Sequence, residues 1–200
     1  MILFLVKIRI YMDESKILER LRYSLRKNDV LNLMDIFSKN PKGIDILIDL
    51  CSNSNNTLGF HAAWVLEHMI INKPELLKKH FVSIVNKMPE TKNPSVQRHF
   101  SKIAKCSLES RAVKDIIATK KNSKSVELLI EVCFEWLLNL KTPIAVKAYC
   151  MDILVYLAPS NTWIKEELPH VIRLNMIDAS PGISAKSKKI LAQLSNHEAS

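Results

Sequence analysis

Two hundred residues, 48% hydrophobic and 24% charged with a formal net charge of +9, suffice for one sizeable core or one short repeat array. Only Gly43, Gly59 and Gly182 occur, which excludes β-rich folds with many tight turns and the glycine-rich loops that cradle nucleotide phosphates. The basic balance admits an acidic protein or a nucleic acid as partner.

The chain opens with MILFLVKIRIYM, whose apolar run is broken by Lys7 and Arg9. That is far short of the ~20 residues a spanning helix needs. Neither the charge order nor the small-residue cleavage site of a signal peptide is present. Met12 begins the helical pattern MDESKILERL, so residues 1–11 read as an N-terminal extension and 12–200 as one helical-repeat domain.

Asp13 or Ser15 is expected to cap a helix carrying Ile17, Leu18, Leu21 and Leu25, and Asp29 to cap a second. A third is predicted over about 41–53, closed by the turn-forming run SNSNN. The stretch TLGFHAAWVLEHMII, Thr57–Ile71, is apolar nearly all round and carries small residues beside Trp64, so it expects helical neighbours on several sides. Helices follow over about 74–88, 94–107, 125–140, 143–157, 162–176 and 183–194, with a shorter element at 110–119. Pro159, Pro169 and Pro181 mark joints or kinks among the last of them.

Four of these helices can be laid over one another: FHAAWVLEHM from Phe60, VQRHFSKIAK from Val96, AVKAYCMDIL from Ala145 and SAKSKKILAQ from Ser184. The fifth place is aromatic in three, as Trp64, Phe100 and Tyr149, and the third is basic in three, as Arg98, Lys147 and Lys186. The starts lie 36, 49 and 39 residues apart, the long interval containing the element at 110–119. Each overlaid helix follows a partner, at 41–53, 74–88, 125–140 and 162–176. Stacked helix pairs of this kind bury what each unit leaves exposed.

On these residues the chain resembles the HEAT/armadillo-like families, whose units run to ~40–47 residues. PIAVKAYCMDIL at Pro143–Leu154 and SPGISAKSKKIL at Ser180–Leu191 are similar to a group of small bacterial helical-repeat proteins with no assigned activity. The resemblance implies an all-α, right-handed α-α superhelix of about five irregular helix pairs, with the overlaid helices lining the concave side. It brings no catalytic residue and no cofactor.

Charge is uneven along the chain. Between Lys92 and Lys124 nine basic residues face only Glu109 and Asp115, a local balance of +7. Arg98, Lys102 and Lys105 follow i, i+4, i+7 spacing and form one helix stripe; Arg111 and Lys114 continue the region. Such a stripe can meet phosphates or an acidic protein, and on most helices it is simply a solvated face. The column Arg98, Lys147 and Lys186 is expected to bridge neighbouring units. Arg98, Lys102, Lys105, Arg111, Lys114, Lys147 and Lys186 are therefore the candidate partner-binding residues.

Other chemistry finds no support. His61 and His68 stand seven apart, about 10.5 Å along a helix axis, too far to share one metal. The widely spaced Cys51, Cys106, Cys133 and Cys150 read as reduced core thiols of a cytoplasmic protein. Glu67 beside His68, and Glu131 with Glu135, are neighbours of the sort exposed helices supply constantly. MPETKN at Met88–Asn93 resembles part of the fumarase and adenylosuccinate lyase signature, but its lysine is one place late and the serines before it are missing. HEAT-like DNA alkylation-repair glycosylases use groove tryptophans and an aspartate. Here Trp64 and Trp136 are expected in the core and only Trp163 at the surface.

The expected function is a non-catalytic, protein-binding scaffold without metal, cofactor or membrane segment. The alternative is a nucleic-acid-binding HEAT-like protein that uses the basic region 92–124, damaged DNA being one candidate ligand.

Overall fold

The computed structural model describes residues 16–110, 117, 123–177 and 179–196; they are overwhelmingly helical and contain no strand. The elements are α1 (16–22), α2 (Lys27–Ser38), α3 (Gly43–Leu50), α4 (Asn56–Asn72), α5 (Leu77–Lys87), α6 (Pro94–Glu109), α7 (Ser123–Leu138), α8 (Ile144–Leu157), α9 (Thr162–Asn175) and α10 (Pro181–Asn196). The N-terminal extension with the expected caps Asp13 and Ser15, and most of the short element at 110–119, lie outside the described residues; Ile117 is half-buried against the core.

Short polar side chains set the helix starts. Asn55 Oδ1 accepts the Leu58 amide at 3.0 Å and Asn93 Oδ1 the Ser95 amide at 2.9 Å, each satisfying a donor that the first turn cannot. Asp29 acts differently from the cap expected of it. It lies inside α2, where its carboxylate reaches back to the Arg26 amide at 2.8 Å and the Arg20 guanidinium at 2.7 Å. α4 ends where Pro74 forces Lys73 out of helical geometry. α9, by contrast, continues through Pro169. The MPETKN segment is the α5–α6 turn: Met88 and Thr91 are buried, Gln97 Nε2 donates to the Thr91 carbonyl, and Asn93 Nδ2 donates to that of Asn56.

The helices form two rows. α3, α5, α7 and α9 pack successively in one; α2, α4, α6, α8 and α10 do so in the other; and α3/α4, α5/α6, α7/α8 and α9/α10 pair between them. This is an α-α solenoid in the pairing that the overlay predicts. α4, α6 and α8 pack against one another along more of their length than α3, α5 and α7 do. Fully buried Ala62 and Ala63 permit close packing at α4.

One continuous core joins the rows, including Leu66, Phe81, Phe100, Ile103, Trp136 and Leu154. Cys51, Cys133 and Cys150 are buried free thiols, and burial pushes the Cys51 and Cys133 thiols up, away from the reactive thiolate. α1 is tied on through His61, whose Nδ1–H donates to the Leu21 carbonyl at 2.8 Å near the end of that helix.

Two glycines mark close approaches. A Cβ at Gly59 would stand 3.1 Å from the Cys51 carbonyl oxygen, and one at Gly43 would collide with the Phe37 carbonyl. Gly43→Ala is therefore expected to force the α2–α3 junction apart. The expected cost is about 1–3 kcal/mol, read as a lower urea midpoint.

Candidate functional site

Two second-row helices, α4 and α6, meet at a surface pocket. α4 contributes Phe60 and Trp64, one turn apart, their rings stacked at 5.9 Å with an interplanar angle of 15°. α6 contributes Ser95, Arg98 and His99. Together they line a pocket of about 310 Å³ between two neighbouring units. Trp64 is thus half-buried, packed against the core and also lining a surface pocket, whereas Trp136 is buried as expected. The fifth place of the overlay does not select one environment: Phe100 is fully buried, and Tyr149 half-buried. Trp163 is 47% exposed and stacks on Phe134 at 5.3 Å.

Beneath the pocket lies a buried ionic cluster. Glu67 on α4 and His99 on α6 are 4% and 3% exposed. Glu67 Oε2 accepts from His99 Nδ1, and Oε1 from Lys102 Nζ, both at 2.6 Å. His99 therefore carries its proton on Nδ1, and its ring lies 5.5 Å from that of Phe60. Burial alone would raise the Glu67 carboxyl; the two hydrogen bonds and the adjacent positive charge outweigh it and hold the group below its ordinary value. In return, the Glu67 hydrogen bond holds the Lys102 amine above its own.

The other basic candidates are distributed as follows. Lys105 pairs with Glu109 at 2.9 Å on its own helix, and that bond raises its amine. Lys186 on α10 pairs with Asp152 on α8. Lys147 on α8 donates to the neutral Asn175 Oδ1 at the end of α9, at 2.8 Å, and burial lowers its amine. Arg98 is exposed at the pocket rim. Arg111 and Lys114 lie outside the described residues. The Arg98, Lys102, Lys105 stripe is therefore largely answered by carboxylates, and the Arg98, Lys147, Lys186 column behaves as three different residues. Only Lys186 links successive second-row helices; Lys147 reaches into the following pair instead.

Cross-links between units recur at about one repeat. His80 on α5 meets Asp45 on α3, 35 residues earlier, at 3.0 Å; Glu67 meets His99 and Lys102 over 32 and 35; Asp152 meets Lys186 over 34. The sequence reading discounted Glu67, beside His68, as an ordinary surface neighbour and gave no role to His99. The available signal was that Glu67 and Asp152 both occupy the eighth place of the overlaid helices, with bases one unit further on.

Both Glu67 oxygens are engaged, by His99 and Lys102, and the Ser95 backbone amide donates to Asn93 Oδ1. Among the described residues no group of three or more metal-ligating side chains is assembled, and no helix is long and apolar enough to cross a membrane.

The family model for the HEAT repeat domain matches residues 17–194. Neither the curated proteins nor the solved structures contain a significant match to the chain. HEAT repeats generally mediate protein–protein interaction.

Proposed function

The chain belongs to the HEAT repeat family, and from that premise we propose that it is a non-catalytic scaffold that holds a partner protein on its second-row face. The Phe60–Trp64–Arg98 pocket carries this reading. Tryptophan and arginine are the side chains most often found at energetic centres of protein interfaces, and a concave seat between repeats lets a partner side chain be desolvated there. The exposed Arg98 and Ser95 supply polar groups at its edge.

The test is a quantitative pull-down from native extract with the unaltered protein, Trp64→Ala and Arg98→Glu, after circular dichroism shows that helix content is kept. Loss of an interface centre costs at least about 2 kcal/mol, so a specific partner should fall more than about tenfold with either variant. Equal recovery with all three proteins would refute the pocket as the binding centre.

A nucleic-acid reading draws on the same pocket, because a base can stack on Phe60 or Trp64 beside Arg98. It requires DNA affinity that falls steeply with salt and is lost in Arg98→Glu. The carboxylate partners of Lys102 and Lys105 weigh against it.

A further inference from the structure

A second surface lies at one edge of the solenoid, where the α7–α8 and α9–α10 turns meet. Leu138 and Leu140 from the first turn, Ile144 at the start of α8, and Leu174 and Ile177 at the end of α9 are all exposed, Leu140 by 93%. They border an open groove of about 850 Å³ whose inner wall includes Thr142, Asn175 and Ile183. Scattered exposed leucines need no explanation, but a contiguous apolar groove on a soluble fold marks a contact surface.

Lys147 tells what the contact should contain. It lines this groove, and among the described residues its hydrogen-bond partner is a neutral amide oxygen, Asn175 Oδ1. The comparable lysines of the second row, Lys102 and Lys186, each have a carboxylate. Asn175 is itself fixed, its Nδ2 donating to the Val171 carbonyl at 2.9 Å, so it presents its oxygen to the amine and does not supply charge. Among the described residues no carboxylate is paired with this half-buried ammonium at an apolar groove, and a ligand carboxylate would gain a charge-assisted hydrogen bond there.

We propose that this groove binds a short apolar peptide segment of a partner protein, with leucine-like side chains against Leu138, Ile144 and Leu174 and one aspartate or glutamate paired with Lys147. The site is separate from the Phe60–Trp64–Arg98 pocket, and its success or failure is read with different variants.

The probe is a random peptide library displayed on phage, panned against the unaltered protein. The expected outcome is an enriched consensus of aliphatic residues around one acidic residue. Changing that residue to its amide in a synthetic peptide should weaken binding about tenfold. Lys147→Met should abolish the acidic preference while keeping the apolar one, and Ile144→Asp should remove binding altogether. Ile144 is exposed, so the latter change leaves the core intact. No enrichment, a consensus without an acid, or binding indifferent to Ile144→Asp would overturn the proposal. Asp178 follows Ile177 in sequence and lies outside the described residues. The selection is therefore repeated on Asp178→Asn: the same consensus supports the proposal, whereas an acidic consensus seen only in that variant would mean that Lys147 is already answered within the chain.

Discussion

Phe100→Ala should lower the stability of the solenoid by about 3–5 kcal/mol, the range for truncating a buried phenylalanine. Phe100 is fully buried on α6, and α6 packs against α4, α5 and α8, so the helix that carries it is held by neighbouring units on both sides. Neither neighbour can collapse into the cavity without breaking its own contacts with the next helix. That places the substitution towards the costly end of the range. In a repeat array each unit is stabilised chiefly by its neighbours, so a weakened central unit also threatens the coupling between the two halves. Urea unfolding followed by circular dichroism should show a lower midpoint together with a shallower slope as the halves begin to melt separately. A midpoint shift equivalent to less than about 1 kcal/mol would mean that α6 is not the central packing element.

Glu67→Ala is expected to cost about 2–3 kcal/mol, for an electrostatic rather than a steric reason. The substitution leaves His99 buried with an unpaired Nδ1–H, while Lys102, one-third exposed, can turn to water. Removing one member of a fully buried pair costs about 3–5 kcal/mol, and the solvent access of Lys102 brings the expectation below that. A double-mutant cycle with His99→Phe should give a coupling of about 1 kcal/mol or more, since the second change removes the orphaned donor that the first creates.

The same carboxylate gives a pH signature. Its folded value lies below the unfolded one of about 4.3, so the unfolded chain takes up this proton first as pH falls. The contribution is complete above the unfolded value and disappears as pH drops through the folded value. The unaltered protein should therefore lose stability between about pH 4.3 and the lower folded value more steeply than Glu67→Gln does. Parallel acid profiles for the two proteins would show that Glu67 is not held in this way.

The Glu67 cluster also shows why fold and site were unequally legible in the chain. Helical periodicity is a local property, and the overlay of the helices at Phe60, Val96, Ala145 and Ser184 was enough to identify the α4, α6, α8 and α10 row and its partners. Asn55 and Asn93 act within a few residues of their own helices, so their capping is local as well. The association of Glu67 with His99 is different: it joins residues 32 apart, and only the way α4 rotates against α6 decides that both point inward. Trp64 was misjudged for the same reason, because an apolar helix surrounded by neighbours still leaves one strip uncovered, and composition does not say which strip.

The sequence by itself determined an all-helical repeat array, its pairing of first and second helices, and the lack of any nucleotide loop or metal-ligand spacing, because each follows from residue types within one or two helical turns. The tertiary structure alone decided which charges are free. Lys102, Lys147 and Lys186 look alike along the chain, yet they face a buried glutamate, a neutral amide and a half-exposed aspartate. A charge is neutralised by what stands a few ångströms from it in space, and in stacked repeats that neighbour comes from the adjoining unit.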